Sequence, residues 1–465
     1  MADFPDFPDF PEPNVPRFAV DVHQNAYLPE GGRVVDAIVT VTATGGAPGG
    51  AVPGPHRSAP GPGPSAAVVL MVDCSGSMDH PPAKMRNARE ATAAAIDTLR
   101  DGVRFAVIGG THVATQVYPG GGRLAVAGAT TRAQAKLALR RLDAGGGTAI
   151  GTWLRLADRL LSASDAAIRH GILLTDGRNE HESPAALWAS LEACAGRFTC
   201  DARGVGTDWD VKEVTGVASA LLGTADIVAD PARLAGDFTR MMETAMGKEV
   251  ADVRLRLWTP AGATVAFVRQ VAPAVEDLTG RRTGTGPRTG DYPTGSWGGE
   301  SRDYHVRVEV PPAHIGQEML AARVSLVVPR PGDAVPPGAS GSGEGAVLDP
   351  GAQGLIRAVW TGDLAVSAPV DPRVAHYTGQ AELTQAIRQG LELRKAGDID
   401  GATARLGRAV QLAGASGNAD TAKLLAKVVD VVDAATGTVR LKAKVAEADE
   451  MTLETRSTKT VRVKK

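Results

Sequence analysis

The stretch VVLMVDCSGSMDHPP (Val68–Pro82) decides the reading of this chain. An apolar, β-branched run ends on a carboxylate, Asp73. Two hydroxyls follow at alternate positions, Ser75 and Ser77, with Cys74 before them and Gly76 between. A nucleophile elbow needs glycines flanking the serine as Gly-x-Ser-x-Gly, and only Gly76 is present. A phosphatase-like cysteine needs an arginine shortly downstream and electropositive surroundings. Cys74 instead precedes Ser-Gly-Ser-Met-Asp-His, and nearby carboxylates raise a thiol's pKa. Cys74 therefore reads as a small residue on the buried side of the turn. An EF-hand loop demands Gly at its sixth position and a bidentate Glu at its twelfth, where Met78 and Lys84 stand. What remains is a hard cation held mainly by hydroxyls.

Two further stretches bear on that option. DAGGGTAIGT offers Thr148 after Gly145, Gly146 and Gly147, and GILLTDGRNE offers Asp176 at the end of an apolar run. Strand ends gather along one edge of a parallel sheet, where strand order reverses. Asp73, Ser75, Ser77, Thr148 and Asp176 can therefore converge. Each alone is an ordinary turn or cap residue, and Thr148 alone could simply cap its helix. The combination is what points to an ion.

Asp-x-Ser-x-Ser after a buried strand, a Gly-rich loop carrying Thr, and a strand ending Thr-Asp-Gly resemble the von Willebrand factor type A (VWA) domain with an intact metal-ion-dependent adhesion site. The likeness spans about residues 65–248. The resemblance implies Mg²⁺ (or Mn²⁺) as the ion, held by Asp73, Ser75, Ser77, Thr148 and Asp176. It further implies a protein partner whose Asp or Glu carboxylate completes the coordination sphere. The chemistry is coherent: Mg²⁺ prefers six oxygens, and neutral hydroxyls leave it under-neutralised and receptive to an outside acid. Asp79, His80, Glu180 and His181 are placed at the rim. In related domains ligand capture moves the last helix, here within PARLAGDFTRMMETAMGKEV, which leads directly into the following strands.

The rest of the chain frames this unit. At 465 residues the length suits about three domains. The net charge of −2 and 4% aromatics give no global field or stacking platform for nucleic acid. No run approaches the ~20 apolar residues of a membrane span. Three cysteines make no disulfide framework, so a cytoplasmic, reducing setting is expected. Residues 1–16 repeat Asp-Phe-Pro and read as a disordered arm; 45–65 read as a Gly/Pro linker.

Alternating apolar patterns mark strands in 17–44 and again in 249–372, with a structureless insert at 331–352. Between them, 66–248 alternate strand and helix. The expected architecture is a doubly wound, mostly parallel α/β sheet inserted in a β-sandwich. A small three-helix bundle is expected over 376–436, a tetratricopeptide-like hairpin followed by a helix around NADTAKLLAKVVDVVDAA, then a tail over 437–465 whose basic last ten residues read as solvated.

No side chain in the set is poised as a general base, so binding is expected and catalysis is not. Two alternatives carry other expectations. An adaptor for an AAA-type ATPase would co-purify with it in Mg²⁺, and a metal-assisted hydrolase would turn over phosphate or ester substrates.

Overall fold

The computed structural model describes residues 16–44, 65–328, 346–347 and 352–463. The Asp-Phe-Pro arm, the Gly/Pro linker and the insert fall almost wholly outside these residues.

The eight residues of the strand Ala66–Asp73 are all buried, as its run of β-branched and long apolar side chains dictates for a central strand covered on both faces. It pairs in parallel with Arg104–Gly110 on one side and Ile168–Thr175 on the other. Beyond Ile168–Thr175 come Thr199–Val205 and then Ala225–Val228, both parallel. The opposite edge is closed by antiparallel Ala114–Tyr118. The chain thus winds outward in both directions from Ala66–Asp73, and the switch point lies at that strand's carboxyl end. Asp73 occupies it.

Helices cover both faces. Ala83–Thr98 and Leu234–Met246 bury Met85, Ala88, Ile96, Phe238 and Met242 on one side. On the other, Ile150–Ser162 buries Ile150, Trp153, Leu154, Ala157 and Leu161, the spacing of one helical stripe. Gly110 gives Trp153 its place: a Cβ there would lie 2.2 Å from the indole.

The strands before and after this unit form one β-sandwich. Val34–Thr44 pairs along its length with Ser301–Glu309, in a five-stranded antiparallel sheet that also holds Arg17–Gln24 and Thr264–Ala272. The facing sheet contains Arg254–Trp258, Thr289–Pro293, Glu318–Val328 and Gly354–Trp360. Val39, Val41, Leu255, Trp297, Tyr304 and Trp360 fill the space between. The expected insertion of an α/β unit into a sandwich is what the chain forms. The helix Leu234–Met246 is fastened to the sandwich just past its end, where Glu249 N–H donates to Trp297 O at 2.7 Å and Lys248 pairs with Glu300 at 2.8 Å.

The C-terminal region differs from the expected three-helix bundle and solvated tail. Pro372–Lys395 and Ile399–Ala415 form the anticipated hairpin, with Gly390 against Leu406. The third helix, Ala419–Val428, stops earlier than its sequence pattern suggested. Val429–Asp433 turns back on Thr438–Leu441 as a β-hairpin, because Val429, Val431 and Val432 are β-branched and the turn Ala434-Ala435-Thr436-Gly437 follows, with Gly437 at φ +72°.

A further helix, Glu447–Arg456, lies within the stretch read as tail. It is docked. Met451 enters the α/β core and Leu453 enters the helical core. The basic residues are paired too: Arg456 and Lys459 hold Asp226 at 2.8 and 2.6 Å, and Arg462 holds Asp303 at 2.8 Å. Among the described residues, no helix is long and apolar enough to cross a membrane.

Candidate functional site

Three loops meet at the carboxyl edge of the parallel sheet. After Asp73 the chain makes a short 3₁₀ turn, Gly76–Asp79. Gly76 N–H donates to Gly146 O at 3.0 Å and Gly145 N–H to Cys74 O at 2.8 Å, tying this loop to the glycine loop before Thr148. Gly146 has φ +77°, a backbone setting that only glycine adopts without strain. The third loop, after Thr175, is joined to the second by His181 N–H donating to Thr148 O at 3.0 Å and Thr148 N–H donating to His181 Nδ1 at 3.3 Å.

All five candidate residues are brought together here. Asp73 Oδ1 accepts from Ser75 N–H at 2.8 Å, and its Oδ2 accepts from the Thr175 hydroxyl at 2.6 Å. Ser77 Oγ donates to Asp176 Oδ1 at 2.7 Å. That uses Ser77's single proton, so Ser75 must be the donor in the 2.9 Å contact between the two serine hydroxyls. Ser77 keeps lone-pair capacity to offer.

Thr148 does not cap the helix that follows it. Ala149 is the cap position and makes no side-chain cap bond. The first helical N–H groups go elsewhere: Ile150 to Asn179 Oδ1 at 2.7 Å, Gly151 to Glu182 Oε2 at 2.8 Å. Among the described residues the hydroxyl of buried Thr148 has no hydrogen-bond partner. It is spare.

The three hydroxyls surround one small space over Gly177. A Cβ on that glycine would lie 3.0 Å from Ser77 Oγ, 3.4 Å from Thr148 Oγ1 and 3.6 Å from Ser75 Oγ. Oxygen donors ring this cradle, with Asp73 and Asp176 behind them, both fully buried. Among the described residues no three His, Cys, Asp or Glu side chains cluster as a metal cage. The donor set therefore suits a hard cation such as Mg²⁺ and not a soft one.

Burial pushes the Asp73 carboxyl up to about 6, against the hydrogen bonds from Ser75 and Thr175 that favour its charge. The Cys74 thiol is pushed up to about 12 by burial and by Asp73, which removes it as a nucleophile.

Lys84 was not anticipated. From the helix Ala83–Thr98 its buried ammonium reaches Asp176 Oδ2 at 2.7 Å and Asp208 Oδ2 at 2.9 Å. Although burial works against its charge, these two carboxylates hold its pKa above the usual lysine range. Both oxygens of Asp176 are thus engaged, one by Ser77 and one by Lys84. No local sequence signal marks Lys84, because its partners lie on other strands. Thr175 could have been read from its place at the strand end beside Asp176.

The loops enclose a cavity of about 360 Å³ whose lining includes Ser75, Ser77, Thr148, Glu180, His181 and Glu447. Of the four rim residues expected from sequence, Glu180 and His181 line it; Asp79 and His80 are exposed and do not. Glu447 comes from the terminal helix, far along the chain.

Comparison with known proteins follows the same outline. Residues 66–227 match the family model for the von Willebrand factor type A domain, and 411–457 match that for the von Willebrand factor type A C-terminal domain. No curated protein matches. A solved structure described as von Willebrand factor type A from Catenulispora acidiphila is 50% identical, covers 98% of this chain and 99% of its own, and has a TM-score of 0.87. The ArnB paralog VWA2 from Sulfolobus acidocaldarius is 14% identical over 95% of this chain and 98% of its own, with a TM-score of 0.60, a likeness of fold alone. With half its residues shared over nearly its whole length, the chain belongs to the von Willebrand factor type A family.

Proposed function

We propose that this protein is a metal-dependent interaction module. Ser75, Ser77 and Thr148 offer hydroxyls to Mg²⁺ or Mn²⁺, while Asp73 and Asp176 orient them and supply charge. Ser77 can coordinate through a lone pair while its O–H goes on donating to Asp176. Neutral donors leave the ion's charge under-compensated, and an Asp or Glu carboxylate of a protein partner completes the sphere.

The observation that carries this reading is the spare hydroxyl of Thr148 beside the serine pair at Gly177. The hydroxyl faces the cavity with its lone pairs unused by the protein, so an ion can take them without breaking a hydrogen bond.

The test is calorimetric titration with Mg²⁺ and a pull-down from the native host in Mg²⁺ against chelator, with Thr148→Ala as control. That substitution breaks no hydrogen bond of the side chain, so the fold should survive it. Mg²⁺ uptake and Mg²⁺-dependent capture in the wild type, both lost in the variant, support the reading. No Mg²⁺ uptake by the wild type sinks it. Hydrolysis of phosphate or ester substrates, lost in Asp176→Ala, would replace it with the enzyme alternative.

A further inference from the structure

We propose that Glu447 is the chain's own carboxylate for the metal site, so that the resting protein is self-ligated and a partner's acid must displace it. This rests on the metal reading above. Every other residue lining the cavity lies between Ser75 and Asp208; Glu447 alone is contributed by the C-terminal region.

Its pairing state sets it apart from its neighbours. Asp449 is paired with Lys427 at 2.7 Å, Glu450 with Arg394 at 2.9 Å and Glu454 with Lys395 at 2.9 Å. Among the described residues the Glu447 carboxylate has neither an ion pair nor a hydrogen bond. An unpaired carboxylate on the wall of a site built for a hard cation is the chemical equivalent of the acid expected from a partner.

The helix that carries it is anchored at both cores and at its far end. Met451 packs with the α/β core, Leu453 with the helical core, and Arg456 and Lys459 grip Asp226 on the outermost parallel strand. Those contacts fix the helix against the domain. Its first turn follows the irregular segment 442–446 and has no side-chain cap, so the end nearest the cavity is the least constrained.

Glu180 is another acid on the cavity wall. The residues either side of it are pinned, Asn179 N–H to Glu213 at 3.1 Å and His181 N–H to Thr148 O at 3.0 Å. Its loop is therefore held while Glu447 is free to follow the ion. Displacing Glu447 would release the first turn of the terminal helix, giving the C-terminal region a report of whether a partner is bound.

Mn²⁺ serves as the probe, with full-length wild type, Glu447→Gln and Glu180→Gln. Water-proton relaxation counts exchangeable waters on the bound ion, and hydrogen exchange reads the terminal helix. The expected result is one more water on Mn²⁺ in Glu447→Gln than in wild type, with Glu180→Gln matching wild type. Mn²⁺ should slow exchange in the first turn of the terminal helix in wild type but not in Glu447→Gln, and bind the latter several-fold more weakly. Equal water counts and equal exchange in wild type and Glu447→Gln overturn the proposal alone. So does a change confined to Glu180→Gln. Failure of the wild type to bind Mn²⁺ overturns the metal reading as well.

Discussion

The ammonium of Lys84 stands 2.7 Å from Asp176 Oδ2, a buried ion pair directly behind the hydroxyl of Ser77. Its charge opposes an incoming cation and partly neutralises the carboxylate that would attract one. Replacing Lys84 with Met leaves Asp176 buried and unpaired, which costs about 3 kcal/mol in comparable pairs. Urea unfolding without metal should show a loss of that order. Saturating Mg²⁺ should recover much of it, because binding to the folded state alone stabilises by mass action. Titration should show tighter Mg²⁺ binding than in wild type. Unchanged stability and affinity would mean that the pair has no bearing on the site.

Gly177→Ala tests the cradle by filling it. The added methyl sits where the three hydroxyls converge, 3.0 to 3.6 Å from each. Gly177 does not have a positive φ, so alanine suits its backbone. Mg²⁺ binding by calorimetry should be abolished while the melting temperature in chelator moves little. Retained binding would place the ion elsewhere.

Asp226 clasps the terminal helix to the sheet edge, and this gives a pH dependence. Burial alone would raise its pKa, but Lys459 and Arg456 hold it below the ordinary 3.8. A lowered carboxylate contributes stability that is complete above 3.8 and fades as pH falls through its folded value. Asp226→Asn should therefore cost roughly 1 kcal/mol near neutral pH, a modest figure because both cations are part-exposed. The gap between wild type and variant in urea should close in strong acid. At neutral pH the variant should exchange amide hydrogens faster in the terminal helix. A gap that persists at low pH would locate the effect outside the ion pairs.

Gly110→Ala tests the packing beneath the site. The Cβ would fall 2.2 Å from the Trp153 ring, whose Nε1 donates to Thr111 O at 2.6 Å. Overpacking of this kind costs about 1–3 kcal/mol. The melting temperature should fall by several degrees, and Trp153→Leu in the same chain should relieve part of the loss. No fall in Gly110→Ala would show that Trp153 moves aside freely.

The candidate site was legible because its residues sit where short-range pattern is informative. A buried strand must end somewhere, and Asp73 and Asp176 mark two such ends, while three glycines flag the loop before Thr148. Lys84 and Glu447 were invisible because their meaning lies in what they approach, and neither has a local signature. The insertion into the sandwich was readable from alternation on both sides of the α/β unit. The basic end misled because charge without acids in sequence looks solvated, whereas Arg456, Lys459 and Arg462 find their acids on distant strands. The helix ending at Val428 was overextended for a similar reason: Val429–Asp433 fits either periodicity until the strand Thr438–Leu441 pairs with it.

The pairing of Val34 with Glu309 and Thr42 with Ser301 also imposes an order of events during synthesis. At about 5–20 residues per second, the early strands leave the ribosome well before their partners exist. They wait as open edges while the α/β unit, whose strands are contiguous in the chain, matures first. The sandwich then seals around that guest, and the docking of Glu447–Arg456 on the α/β core, which needs residues made later still, comes after it.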